Sequence, residues 1–216
     1  MWGCLAVLGG LGGRVARCFC GAAVVCVCAG RHGRVVTLWY DRVMTCVMCG
    51  SVIEVRSGRV PRFCSGACRQ RAYRVRVKRR ARFMELAEGR WVRARGKRPV
   101  MVDGRAASST DSSTWSSHAA VVASRAGDGL GVMLGGGLGC YDLDGCFDES
   151  GRLSSSVRDF VRSIPEPVLM VERSMSGRGL HVFVEASEGP GSRRGGVERY
   201  TKSRFIRTTF DEVDVT

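Results

Sequence analysis

Cys46-Val-Met-Cys49 and, after fourteen intervening residues, Cys64-Ser-Gly-Ala-Cys68 place two thiol pairs at the spacing of a metal knuckle. A segment this short and polar has little apolar surface to bury. Four soft, deprotonatable ligands therefore point to tetrahedral Zn²⁺ as the source of its folding energy. Four free thiols are the competing reading; Gly50, directly after the first pair, suits the tight turn that a bound metal needs. The run that follows carries Arg69, Arg71, Arg74, Arg76, Lys78, Arg79, Arg80 and Arg82 around Tyr73, with no acid between residues 56 and 83. As a helix it offers cations on several faces, suited to phosphates rather than to one base sequence. A charge run alone is usually a solvated face, but this density points to phosphate contact.

The formal charge of +14 is spread unevenly over the 216 residues. Residues 1–104 hold 21 Lys and Arg against 5 Asp and Glu, whereas residues 105–216 hold 13 against 15. The front half can attract a polyanion without repelling metal ions from an acidic site behind it. Nucleic acid is the natural partner. The length allows one main core and a small satellite module.

Eleven cysteines would suggest a disulfide framework in a short secreted protein. The opening MWGCLAVLGGLGG, however, lacks a basic n-region, and Arg14 and Arg17 interrupt its apolar run. The uncharged stretch 18–30 falls short of the roughly 20 residues that a membrane-spanning helix needs. These features lead us to expect a cytoplasmic protein with no membrane partner.

Residues 1–43 are rich in Gly, Cys and Val and lack a clear period, so they read as a disordered or artefactual extension. Within them Cys18, Cys20, Cys26 and Cys28 form two Cys-x-Cys pairs that could bind a soft metal, though one-residue spacing is poor for a single tetrahedral site. Residues 44–83 form the basic zinc module, and 84–128 a linker and the start of a catalytic domain. This linker holds a short amphipathic stretch around Phe83, Leu86 and Trp91, then a Ser/Thr-rich loop, 106–117, which Trp115 argues is ordered.

Residues 129–216 have the pattern of a packed α/β (α+β) domain. Strands are predicted at 131–134 and 138–144, joined hairpin-fashion by Gly135, Gly136 and Gly137. Leu153, Val157, Phe160, Val161 and Ile164 recur at helical spacing until Pro165 and Pro167 stop them. Further strands are predicted at 168–173 and 180–184 around the turn 174–179, with a final pair at 197–200 and 204–208.

Asp142 and Asp144 stand two apart in a strand, so their carboxylates project from one face, with Leu143 on the opposite, core side. They would repel one another without a cation, and their hard oxygens favour Mg²⁺ or Mn²⁺. As a lone pattern Asp-x-Asp is weak. Ser174-Met-Ser-Gly-Arg-Gly-Leu-His forms a Ser/Gly turn opening into a strand that carries His181; its amides, its hydroxyls and Arg178 could hold a triphosphate. Taken alone, His181 reads as a core histidine beside Phe183, and Glu198 as a surface residue ahead of Lys202, Arg204 and Arg207.

Two stretches resemble known families. CVMCG…RFCSGACRQRAYRVR is similar to a small zinc-binding region at the front of some phage and actinobacterial proteins. From about Trp91 to Thr209, KRPVMVDGRAASSTDSSTW, GCYDLDGC, SMSGRGLHVF and VERYTKSRFIRTT together resemble, in order and spacing, the archaeo-eukaryotic primase superfamily. The likeness is to the bifunctional primase-polymerase domains of phages and plasmids. It implies an RRM-like sheet with helices packed against it and assigns Asp142, Asp144 and Glu198 to catalytic Mg²⁺ or Mn²⁺. It assigns His181 to the incoming nucleotide, with Ser176, Arg178, Lys202 and Arg204 near its phosphates.

The implied reaction is metal-dependent synthesis or extension of primers in DNA replication, from nucleoside triphosphates on a single-stranded DNA template. A separate helicase is a candidate partner, and the host cytoplasm the expected place for a phage-encoded chain. Thr208 is followed here by Thr209 and Phe210, where the family usually has glycine after the closing threonine. Two other readings stay open: a non-enzymatic, zinc-dependent nucleic-acid-binding protein with a degenerate primase-like domain, and a metal-dependent nuclease.

Overall fold

A computed structural model describes residues 15–20, 23–29 and 35–40 by their backbone, and residues 44–53 and 61–215 with their side chains. The chain divides into two compact units, Met1–Tyr73 and Arg74–Thr216. In the first, β1 (Val15–Cys20), β2 (Ala23–Ala29) and β3 (Val35–Tyr40) form an antiparallel meander with Arg17 opposite Cys26 and Cys26 opposite Leu38. These strands fall within the 1–43 stretch, where the sequence shows no alternation; its Val runs, with Thr37, Trp39 and Tyr40, have the β-branched and aromatic composition that suits strands. Its side chains, and with them the Cys-x-Cys reading, lie outside the described residues. A two-residue ladder follows, β4 (Met44–Thr45) on β5 (Val52–Ile53). Among the described residues of this unit only Cys46 and Ile53 are buried.

Helix α1 (Gly66–Ala87) joins the cationic run to the first part of the amphipathic stretch, Phe83 and Leu86, while Trp91 falls in the strand that follows. It stops before Gly89, whose φ of 71° is the left-handed conformation typical of a helix end. Its buried residues, Phe83 and Ala87, are in its last turns. Among the described residues no helix is long and apolar enough to cross a membrane.

The second unit is α+β. In chain order come β6 (Trp91–Arg95), β7 (Arg98–Val100), a 3₁₀ turn (Ser112–Thr114), α2 (His118–Ala123), β8 (Gly129–Met133), β9 (Leu138–Leu143) and α3 (Ser155–Ser163). Then follow β10 (Val168–Arg173), β11 (Leu180–Glu185), β12 (Ser192–Arg194), β13 (Val197–Tyr200) and β14 (Phe205–Thr208). They build two antiparallel sheets, β14-β8-β6-β7 and β10-β11-β9-β13-β12. In the larger, β9, α3 and β10 form a split β-α-β unit, with β11 inserted between the two strands and β13 on the far side of β9.

Two predicted pairings are corrected. The strands flanking Gly135, Gly136 and Gly137 are not a hairpin, because β8 and β9 belong to different sheets and only Gly135 bridges Leu138. The three glycines have φ of 131°, 61° and 96°, which lets the chain turn from one sheet into the other. Likewise β13 and β14 do not pair; β13 lies on β9 and β14 on β8. Period and turn residues reveal strands but not which edge each strand joins.

The larger sheet is buried on both faces. On one, Leu138, Cys140, Met170 and Phe183 pack with Phe83, Trp91, Val121, Val132 and Leu134. The Phe83 and Phe183 rings lie 4.8 Å apart at 56°, a tilted contact worth about 0.5–1.5 kcal/mol beyond burial. On the other, Leu143, Val171, Leu180, Val182 and Val184 meet Val157, Phe160 and Val161 of α3, whose N-cap Ser154 accepts from the Val157 N–H at 3.2 Å.

Gly131, within β8, is closed in by the Phe205 ring, and a Cβ there would also lie 2.6 Å from the Ile206 carbonyl oxygen. Gly131→Ala is expected to cost about 1–3 kcal/mol, because the obstruction includes backbone that cannot step aside. A lowered urea midpoint at unchanged slope would show it.

Candidate functional site

Antiparallel register sets one row of side chains across the larger sheet. Glu172 on β10 is opposite His181 on β11, His181 opposite Asp142 on β9, Asp142 opposite Glu198 on β13, and Glu198 opposite Arg193 on β12. Directly opposed residues share a face, so the row continues the one lined by Cys140 and Phe183. The apolar core therefore gives way, one step along each strand, to a polar row. His181 is buried, as the core-histidine reading has it, but its ring also has polar neighbours: Nδ1 is hydrogen-bonded to the Glu172 carboxylate at 3.0 Å, and Nε2 lies 3.8 Å from Asp142.

Asp142 is partly buried and Asp144, just beyond the end of β9, is exposed. Burial pushes the Asp142 carboxyl above its ordinary range; the charges of Asp144 and Glu198 push the same way, while His181 and Arg204 oppose them. Glu198 is engaged on both oxygens. Oε1 pairs with Arg193 at 3.0 Å, and Oε2 accepts from the Tyr200 hydroxyl at 2.7 Å with Arg204 3.8 Å away. Their oxygens are the donors a hard cation takes, yet the three carboxylates are not gathered as tightly as a preformed metal site. Among the described residues the only group of three or more potential ligands that close together is the four cysteines.

The turn 174–179 is tightly bonded within itself. Ser176 Oγ lies 3.1 Å from Ser174 Oγ and accepts from the Arg178 N–H, Ser174 Oγ accepts from the Gly179 N–H, and Arg173 donates to the Gly177 carbonyl. Arg178 is exposed, so it is the turn's accessible cation. Arg204 stacks on Tyr200 at 4.5 Å. Lys202 instead lines a shallow cleft of about 330 Å³ with Arg90, Ser109, Trp115 and Glu188, and none of the three acidic residues borders that cleft. The Ser/Thr-rich loop is built, with the Trp115 indole N–H donating to the Ser108 carbonyl at 2.7 Å and Asp111 accepting from Ser113.

Sequence reasoning passed over Glu172. It is fully buried, and besides His181 it accepts the backbone N–H groups of Thr209 and Phe210 at 3.2 and 2.9 Å. An acid set inside the apolar run Val-Leu-Met-Val-Glu-Arg was the available signal, since a charge in a buried strand needs a partner.

In the cysteine module the Sγ atoms of Cys46, Cys49, Cys64 and Cys68 all lie within 4.8 Å of one another, with Cys49 to Cys64 at 3.5 Å and Cys64 to Cys68 at 3.6 Å. A zinc tetrahedron with bonds of about 2.3 Å has edges of about 3.8 Å, so these residues fit the metal. The Cys64 backbone N–H is the main influence drawing the Cys46 thiol down to about 6, whereas the neighbouring thiols Cys49 and Cys68 push Cys64 up to about 12. Four thiolates at this spacing need a cation among them. The basic residues Arg69, Arg71, Arg74, Arg76, Lys78 and Arg79 are exposed along α1. Arg80 pairs with Glu212, and Arg82 with Glu185 and Glu85.

No family model matches this chain, and no curated protein matches its sequence.

Proposed function

We propose that the chain is a metal-dependent nucleotidyltransferase of the primase-polymerase kind, which joins nucleoside triphosphates on a single-stranded DNA template. The observation that carries this reading is the register placing His181, Asp142 and Glu198 side by side on three neighbouring strands. Three residues from three distant motifs have no structural need to meet in one polar row. The split β-α-β order β10-β11-β9-β13 supports an RRM-like sheet, although a loop and the edge strand β12 stand where a second helix would come.

In this mechanism a primer 3′ hydroxyl attacks the α-phosphate and pyrophosphate leaves. Mg²⁺ or Mn²⁺, when bound, would lower the cost of charge on the attacking and leaving oxygens. Asp142 and Asp144 would supply its oxygen ligands, with Glu198 released from Arg193, whose side chain is exposed. His181 presents Nε2 toward the nucleotide, and Arg178 and Arg204 offer charge to its phosphates. The exposed cations of α1 suit the template backbone.

A second reading, a zinc-dependent nucleic-acid-binding protein, is favoured by one observation: among the described residues only Cys46, Cys49, Cys64 and Cys68 are gathered closely enough to hold a metal as they stand. Incorporation of labelled nucleotides on single-stranded DNA separates the two. Product that requires Mg²⁺ or Mn²⁺ supports the enzyme; no product from folded, template-binding protein supports the binding module.

A further inference from the structure

Glu172 is an unusual residue for the middle of a sheet. Its side chain is fully buried on β10, and both carboxylate oxygens have hydrogen-bond partners. Oε2 accepts the N–H groups of Thr209 and Phe210, and Oε1 faces His181 Nδ1 at 3.0 Å. A carboxylate offers only acceptors, so the hydrogen in the last contact comes from the ring. A neutral imidazole whose Nδ1 carries the hydrogen leaves Nε2 as an acceptor. At 3.8 Å from Asp142, Nε2 is beyond hydrogen-bond distance and remains open to a third group.

The same carboxylate holds the segment after β14. Phe210 has φ of 57°, a left-handed backbone that disfavours an aromatic residue, and its N–H is one of the two bound by Glu172. Around it the Thr209 hydroxyl donates to the Arg173 carbonyl, and the Arg173 N–H donates to the Asp211 carbonyl. The His181 ring is thus referenced to two strands and to the chain beyond them, through one side chain.

We propose that Glu172 is a positioning residue, which fixes the orientation and tautomer of His181 so that Nδ1–H points inward and Nε2 faces Asp142 and the incoming ligand. That the ligand is a nucleotide rests on the function proposed above; the positioning itself does not. The role is the one a buried carboxylate plays behind an active-site imidazole, where the hydrogen bond at one nitrogen decides what the other can do.

The test is nitrogen-resolved NMR of the His181 ring in the full chain. In the wild type Nδ1 should carry the hydrogen, with Nε2 in its acceptor form. In Glu172→Gln the amide oxygen is held by Thr209 and Phe210, so the NH₂ faces Nδ1 and donates. The ring should change to the Nε2–H tautomer. A wild-type ring whose Nδ1 carries no hydrogen overturns the proposal, and needs no variant to fold; so does a ring state unchanged by the substitution in folded protein. A merely structural Glu172 would lose stability without switching the tautomer.

As a second readout, Glu172→Gln should raise the nucleotide KM about tenfold, equivalent to about 1.4 kcal/mol, with kcat changed less. A wild type that makes no product would defeat the nucleotidyltransferase reading, while the ring signature would still decide the role of Glu172.

Discussion

Removing the metal from zinc-loaded protein with a chelator is expected to unfold the cysteine module and leave the second unit folded. Among the module's described residues the apolar core is slight: only Cys46 and Ile53 are buried, and the ladder is two residues long. Structural zinc in modules of this size contributes about 10–16 kcal/mol of apparent binding free energy near neutral pH, far more than so small a core supplies. Beyond Tyr73 the chain has its own core around Phe83, Trp91 and Phe183. Amide resonances of residues 44–53 and 61–68 should collapse on chelation, while those of β9 and β11 stay. Cys64→Ser should lower bound zinc by one equivalent and Cys146→Ala should not, since Cys146 is buried in the other core. A module whose resonances survive metal removal would mean that four free thiols fold unaided.

The cysteine cluster was legible because a tetrahedral ion constrains spacing: pairs three and four residues apart bring their sulfurs to one point whatever the rest of the chain does. Strands and helix α3 were legible for a similar reason, since Val157, Phe160 and Val161 can line one face only if the backbone is helical. Partner choice among strands was not. Gly135, Gly136 and Gly137 permit a hairpin and permit a crossing between sheets, and the difference lies in what β8 and β9 bury, not in the turn. His181, Asp142 and Glu198 could be singled out in sequence by type and motif, but their adjacency depends on register, which distant pairing sets. Glu172 could be noticed as an acid in an apolar run, but its role could not be assigned from sequence, because it comes from three partners, His181, Thr209 and Phe210, of which the nearest is nine residues away.

Asp142→Asn is expected to cut nucleotide incorporation by about 10²–10³-fold or more, a loss of the size seen when one group that stabilises transition-state charge is removed. The asparagine keeps the shape and an oxygen but not the charge that a hard cation needs. Template binding should hold, because the α1 cations are untouched. The same substitution should make the metal-free protein more stable at neutral pH, and the sign follows from the Asp142 environment. Burial, with Asp144 and Glu198 beside it, raises the folded-state pKa above the unfolded one. At neutral pH the carboxylate is charged in both states, and folding bears the cost of confining it. As pH falls through the raised folded value toward the ordinary carboxylate value, protonation of the native state removes that cost, so wild type should catch up with the variant in acid. A variant less stable than wild type at neutral pH would mean that His181 and Arg204 outweigh burial and repulsion at Asp142. The row would then be an ion-pair network that holds the sheet together, and the case for a cation-binding site would fall with it.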